Sequence, residues 1–407
     1  MHLGGNVHAW ASRLNNLLET EIMCRRFVIS LAFVLVSVGS LRADPPFRFP
    51  EGKCTHGELK YINGIPVLTV DGTPGEIGTA VGLLALQPGK RMARYPEDIL
   101  DHFYLSTLRL PLVHAGRQMV KEFPPAYRDE LEAMVHAAHV DRDLGVLGNT
   151  MFDLKKVLAC SAILVEPARS ATTGTLMGRN LDYPPLGYAQ DYSLVTIYRP
   201  LGVKHAFATI GFPGLIGCLS GMNDAGLAVA VLEVVQVKSS EKRFDAHGLP
   251  YALCYRKILE ECSTIAEAYE TLSRLKRTGL SNLVVADQND VAVFEITPER
   301  IVVRRGPNGA CVCTNHFCSE DLKPSVTLNL FNTFDRFGAL AKVSELDRKL
   351  GPSDLHVGLH QANHQGYTMQ TMIFECATAR LHLAIGAVPS SAGEMKVIEL
   401  GPLFRGQ

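Results

Sequence analysis

Cys160 opens the short apolar run Cys160-Ser-Ala-Ile-Leu-Val165, preceded by Ala159. A cysteine in a strand of this kind is ordinarily an inert core residue. It becomes a nucleophile only where neighbouring groups favour the thiolate or take its proton. The residues downstream raise that prospect. Gly178-Arg-Asn-Leu-Asp-Tyr183 places Arg179, Asn180 and Asp182 on the next strand, which a hairpin could return beside Cys160. Alternation puts Asn180 and Asp182 on one face and Arg179 on the other. So dense a polar cluster is costly to bury unless its members satisfy one another or a substrate.

Two asparagines extend the set. Asn223 sits in the turn Ser220-Gly-Met-Asn223-Asp-Ala-Gly226, where turn chemistry alone also explains it. Asn315 closes a strand in Cys313-Thr-Asn315-His316-Phe317, and an amide there can donate to a developing oxyanion. Arg336 falls in the first turns of a helical pattern, ordinarily a surface position. Singly each residue has a bland structural explanation; as an ordered set they do not.

Other clusters point less clearly to chemistry. His356, His360 and His364 would stack if one helix ran through them, but Gly366 and the Gln-Ala-Asn run favour a frayed helix end and a polar face. Cys311, Cys313, His316 and Cys318 fit none of the paired zinc-knuckle spacings. No metal and no organic cofactor is expected.

The elements that must hold these residues follow from periodicity. Glu58–Val70 alternates, and helical patterns cover Glu76–Leu86, Met92–Glu122 and Tyr127–Ala138, with His139–Lys155 helical or irregular. From Cys160 onward the chain reads as strands, two helices (the second opened by the capping box Thr264-Ile-Ala-Glu267), strands, two helices and final strands. The pattern implies two sheets faced by helices, an α+β layered domain, preceded by a mainly helical segment.

With 47% hydrophobic and 20% charged residues, the 407-residue chain has material for a large core. A formal net charge of −1 and no basic stripe argue against nucleic acid as a partner. Residues 23–43 carry a charged start, an apolar run from Phe27 to Val38 and a small-residue end, the pattern of an export signal. Export to the periplasm or outside the cell is therefore expected, with an uncleaved membrane anchor and a buried N-terminal helix as the competing readings. Residues 1–22 look unlike any signal, so Met23 is a candidate start.

The ordered motifs Cys160-Ser-Ala, Gly178-Arg-Asn-Leu-Asp-Tyr-Pro184, Gly221-Met-Asn-Asp-Ala-Gly-Leu227, Thr314-Asn-His-Phe317 and Phe334-Asp-Arg336 resemble the N-terminal-nucleophile hydrolases acting on linear amides. The groups concerned are the choloylglycine hydrolases and the penicillin acyl-CoA:6-aminopenicillanic acid acyltransferases. Thr368-Met-Gln-Thr-Met-Ile-Phe374 and Arg380-Leu-His-Leu-Ala384 are similar to that family's tail. The resemblance implies a four-layer αββα sandwich and self-cleavage between Ala159 and Cys160. It divides the chain into 1–43, an α chain at 44–159 and a β chain at 160–407 that remain partners, and a homo-oligomer is compatible with it. Cys160 would be the nucleophile, its freed α-amine the base, Asp182 the group orienting that amine, and Arg179 the support of the thiolate. Asn315 and Asn223 would donate to the oxyanion, with Arg336 completing the network. The substrate would be a small-molecule amide. The long segment before Cys160 favours the acyltransferase-like branch, although Ala159 stands where that branch commonly has glycine. A papain-like pair of Cys160 and His316, and a secreted binding protein on the same fold, are the rival readings.

Overall fold

The computed structural model describes residues 45–154, 156 and 159–406. The export segment lies outside the described residues. The body from Phe47 onward starts with β1 (Gly52–Cys54), β2 (Gly57–Ile62) and β3 (Ile65–Gly72). The alternating Glu58–Val70 run is thus a hairpin, turned at Asn63-Gly64, where both φ angles are positive (50° and 82°). That two-residue geometry suits the twist of paired strands and needs residues tolerant of left-handed backbone.

Helices α1 (Pro74–Val81), α2 (Tyr95–His102), α3 (Arg109–Val120), α4 (Pro125–Ala138) and α5 (Arg142–Leu154) follow. The single helical run expected over Met92–Glu122 is broken. α2 ends at His102, Tyr104 takes a positive φ of 58°, and a short turn at Ser106–Leu108 restarts the chain into α3. Pro111, in the first turn of α3, is the one mark of this restart, while the apolar spacing runs on through it, so periodicity alone reads it as continuous.

From Ala159 onward come β4 (Ala159–Val165), β5 (Leu176–Asp182), β6 (Leu194–Pro200), β7 (Phe207–Gly211), β8 (Ser220–Asn223) and β9 (Ala228–Glu233). The expected Gly226–Val235 strand is β9, trimmed at both ends. Then come α6 (Tyr251–Glu261), α7 (Ile265–Arg274), β10 (Ser281–Ala286), β11 (Val291–Ile296), β12 (Ile301–Arg304) and β13 (Ala310–Cys313). The chain closes with α8 (Thr333–Ser344), α9 (Pro352–Gln361), β14 (Thr368–Glu375), β15 (Arg380–Ile385), β16 (Lys396–Glu399) and α10 (Leu400–Arg405).

Two sheets result. The larger has ten strands in the order β1-β2-β3-β6-β7-β8-β9-β10-β11-β12, and the smaller six in the order β13-β4-β5-β14-β15-β16. All pairings are antiparallel except β3 with β6, which runs parallel from Val67 opposite Val195 to Gly72 opposite Pro200. β4 lies against β9, β10 and β11, so the sheets face each other. Along β4, Cys160, Ala162 and Leu164 join the core between the sheets, while Ile163 and Val165 pack with Leu340, Leu355 and Leu359 of α8 and α9. Every residue of β4 is buried, which explains its near-continuous apolar sequence. With α1 and α6 covering the larger sheet, the layers are helix, sheet, sheet, helix, the expected αββα arrangement.

The segment before Cys160 is built into this body. Gly78 of α1 brings that helix against α4 so closely that a Cβ there would lie 2.2 Å from the Glu130 carbonyl oxygen. On α4, Glu130 receives both terminal nitrogens of Arg256 from α6, at 2.8 and 2.7 Å. Arg256 also binds Glu260 at 2.8 Å, and Glu260 accepts from Tyr127 at 2.5 Å. Burial pushes the Glu130 carboxyl upward while Arg256 pulls it back. Gly78→Ala is expected to destabilise the protein by about 1–3 kcal/mol through that close approach. Gly75→Ala, with no atom within 4 Å, should be neutral or slightly stabilising; urea unfolding of both variants checks the contrast.

Candidate active site

β4 and β5 pair with Cys160 opposite Leu181, Ala159 opposite Asp182 and Ser161 opposite Asn180. Arg179 therefore shares the inter-sheet face with Cys160, while Asn180 and Asp182 lie on the helix-covered face. Cys160 is wholly buried and Ala159 nearly so.

Two guanidinium groups reach Cys160 from opposite faces of the sheet. Between the sheets, Nη2 of Arg179 donates to the Cys160 Sγ at 3.2 Å and to the Val231 carbonyl at 2.9 Å, and Nη1 donates to Ser220 Oγ. No described carboxylate lies within ion-pair distance of Arg179. From the helix side, Nη1 of Arg336 on α8 donates to the Cys160 carbonyl and, at 2.9 Å, to Ser161 Oγ. Its Nη2 donates to Asn315 Oδ1 at 2.7 Å, and its Nε to the Phe331 carbonyl at 3.0 Å.

Asn315 follows β13, the neighbour of β4. Its Oδ1 accepts the Cys160 N–H at 2.8 Å and its Nδ2 donates to the Glu233 carbonyl at 2.9 Å. The amide thus touches the nitrogen of the Ala159–Cys160 peptide. Asp182 accepts from Thr368 Oγ1 at 2.5 Å with Oδ1, and its Oδ2 lies 3.8 Å from Arg336 Nη1. Its Oδ2 has no hydrogen-bond partner, and burial raises the carboxyl to about 6 against the pull of Arg336. Burial also pushes the Cys160 thiol up, and it outweighs the opposing charge of Arg179.

The structure thus gathers Cys160, Arg179, Asp182, Asn315 and Arg336 at one strand end, with Ala159 beside them. Asn223 is placed elsewhere in its bonding. Its Nδ2 donates to the Leu259 and Cys262 carbonyls at 3.0 and 2.7 Å, and its Oδ1 accepts from Ala225 and Leu227 N–H. Those bonds tie the β8–β9 turn to the end of α6. In the same motif it is Ser220 that meets Arg179. Asn180 is likewise spent on the Leu359 carbonyl and Thr371.

His316 makes no hydrogen bond to Cys160. Its ring bonds Thr333 Oγ1 at 2.9 Å and Thr314 Oγ1 at 3.2 Å, and burial pushes it down to about 4. The three histidines at helical spacing separate. His356 and His360 bond Ser391 at 2.8 and 3.1 Å, whereas α9 ends before His364. Ser220, Thr368, Thr333 and Glu233 complete the site without having been singled out. Ser220 and Thr368 open motifs whose later residues draw more attention; the other two carry no signal in one sequence.

Beyond Asp182, Tyr183 borders an apolar cleft of about 50 Å³, with Met92, Tyr95, Met151, Phe152 and Phe212 on its walls.

A thiol, a carboxyl, an amide and two buried guanidinium groups thus meet at one strand end of this layered body. The family described as acyl-coenzyme A:6-aminopenicillanic acid acyl-transferase matches residues 169–387, and the chain belongs to it. An uncharacterized protein of Archaeoglobus fulgidus is 22% identical over 274 residues, covering 60% of this chain. The chain spans 45% of that relative's length. Among solved structures, a mutant form of the conjugated bile acid hydrolase of Clostridium perfringens is similar with a TM-score of 0.45 at 15% identity, over 59% of this chain and 92% of that one. The N-acylethanolamine-hydrolyzing acid amidase ortholog of Caenorhabditis elegans has a TM-score of 0.41 at 15% identity, over 54% and 96%. Penicillin V acylase of Agrobacterium tumefaciens has a TM-score of 0.40 at 15% identity, over 60% and 93%.

Arg336→Met is expected to cost about 3 kcal/mol, because it strands buried acceptors and leaves Asp182 without its cation. Arg336→Lys should not restore the loss, since an ammonium cannot span the same forked set of oxygens. Thermal unfolding of the two variants beside the parent checks both.

Proposed function

We propose that the protein is a self-processing cysteine amidohydrolase that cleaves the Ala159–Cys160 bond and then hydrolyses a linear N-acyl amide through a Cys160 acyl-enzyme. The observation that carries this reading is the buried guanidinium of Arg179 donating to Sγ of Cys160 with no described carboxylate as its counter-charge. A cation so placed favours negative charge on the sulfur, which a structural thiol does not need.

In the first reaction Sγ loses its proton and attacks the Ala159 carbonyl carbon. The bond to the Cys160 nitrogen breaks, that nitrogen takes a proton, and the Ala159 acyl group rests on sulfur as a thioester. Water then releases the Ala159 carboxylate and restores the thiol. In the mature enzyme the freed α-amine, which titrates at about 7.7–8.0 in model peptides, takes the thiol proton for each substrate. Asp182, in register with Ala159, would hold that amine, and Nδ2 of Asn315, which donates to the Glu233 carbonyl in the uncut chain, would turn to the oxyanion. Arg336 would fix the Cys160 carbonyl throughout. Asn223 has no free donor for that task.

Transfer of the acyl group to an amine is the second reading, favoured by the family match. The export signal read at residues 23–43 tips the proposal toward water, because an enzyme outside the cytosol lacks acyl-CoA as a donor.

Intact mass and N-terminal sequencing test the mechanism. Two chains, the larger starting at Cys160, are expected from the parent, and one chain from Cys160→Ala. A single chain in both overturns self-cleavage. The mature enzyme's kcat/KM should rise with pH as the freed α-amine loses its proton at about 8, and Asp182→Asn, which removes the carboxylate that favours the ammonium, should move that limb to lower pH.

A further inference from the structure

One buried hydroxyl beside the catalytic centre takes no part in the reactions above. Tyr183 is 1% exposed, and its hydroxyl has no hydrogen-bond partner among the described residues. Other buried tyrosines of this region are bonded. Tyr95 donates to the Pro184 carbonyl at 2.5 Å, Tyr127 to Glu260 at 2.5 Å and Tyr251 to Glu233 at 2.8 Å. An unmet buried donor destabilises the fold, so it calls for a ligand or another explanation. Burial pushes the Tyr183 phenol well above its ordinary range, which keeps its proton in place and the group a donor.

Its position in the chain ties Tyr183 to the reacting atoms. Cys160 lies opposite Leu181, so alternation makes Arg179 and Tyr183 its two diagonal neighbours on the inter-sheet face. Tyr183 follows the last residue of β5, and its N–H still bonds the Tyr367 carbonyl at 2.8 Å. Arg179 meets the sulfur, whereas Tyr183 borders the apolar cleft, its ring 5.3 Å from that of Tyr95 and 5.8 Å from that of Phe152.

The cleft lies on the acyl side of the Ala159–Cys160 bond. Its walls at Gly148, Met151 and Phe152 belong to α5, from whose end at Leu154 the chain runs to Ala159. A later acyl group carried by the same sulfur extends to the same side. The cleft volume admits about four groups the size of a water molecule or a methylene.

We propose that this cleft takes the acyl limb of the amide substrate, and that the Tyr183 hydroxyl donates to an oxygen carried on that limb. The inference rests on the amidase reading and narrows its substrates to short apolar acyl groups bearing one hydrogen-bond acceptor.

Two matched series of 4-nitroanilides test this on the processed enzyme. One carries alkanoyl groups of increasing length; the other replaces one methylene by oxygen at each position in turn. Turnover of the alkanoyl series should peak at about five carbons, the carbonyl included. At one position the oxygen compound should exceed its alkanoyl partner of equal length in kcat/KM by about tenfold, the effect of one hydrogen bond to a buried donor. In Tyr183→Phe that ratio should fall to one or below, and taking it within each enzyme cancels any general loss. Thermal unfolding of this variant should show no loss of stability, since it removes an unbonded hydroxyl. Gly148 has no atom within 4 Å of where a Cβ would stand, so Gly148→Leu should fill the cleft and shorten the best chain by about two carbons. Alkanoyl turnover with no advantage from oxygen overturns the inference and leaves the amidase reading standing. An advantage that survives in Tyr183→Phe, or a best chain unchanged in Gly148→Leu, overturns it likewise. A chain left uncut at Cys160, or turnover of neither series, overturns the amidase reading and the inference with it.

Discussion

The structure depends on one buried charge. Arg179 has no solvent exposure, and the groups its two terminal nitrogens meet come from both sheets: the Cys160 sulfur from the smaller, Ser220 and Val231 from the larger, while its Nε is buried without a hydrogen-bond partner. A guanidinium already short of one acceptor can ill lose another. The two sheets must therefore keep their spacing and register for the charge to survive there. Cys160 opposite Leu181 sets Arg179 diagonally beside the sulfur, and a slip of one residue would turn it to the helix face.

Burial and charge compete throughout this region, and burial prevails at the titratable groups. The Cys160 thiol is held above its ordinary range despite Arg179, and the Asp182 and Asp153 carboxyls rise to about 6 despite nearby cations. Each raised carboxyl is most at ease protonated. Folding stability from these two groups is thus fullest below about pH 4 and declines as pH climbs to about 6, because the folded state holds protons that the unfolded chain releases. A protein selected only for stability would have no use for such an arrangement.

Much of this was legible in the chain. The even alternation of β5 assigns Arg179 to one face and Asn180 and Asp182 to the other, because side chains in a strand alternate whatever surrounds them. The buried run from Cys160 to Val165 announces a strand covered on both faces. What failed to show has physical reasons too. Asn223 bears the residue type of an oxyanion donor, yet its four hydrogen bonds are fixed by α6, an element remote in sequence, and by its own turn. The break at Tyr104 is marked only by Pro111, several residues later in the first turn of α3, which periodicity does not weigh. Thr333 and Glu233 meet Asn315 only through tertiary packing, and Glu233 enters through its backbone carbonyl, which any residue type supplies. The parallel pairing of β3 with β6 requires bringing together segments more than a hundred residues apart, which periodicity does not report.

That parallel pairing carries a further consequence. The stretch ahead of Cys160 lays three strands along one edge of the large sheet and locks α4 to α6 through Arg256. It is a structural half of the body, not a leader wrapped around a finished fold. Nicking the backbone between α5 and β4 would leave two polypeptides in strict one-to-one stoichiometry, each lacking the partner surface its own core requires. Their separation would be unfolding by another name, with a midpoint that depends on concentration. The same architecture could in principle be encoded as two open reading frames, provided both products fold in each other's presence.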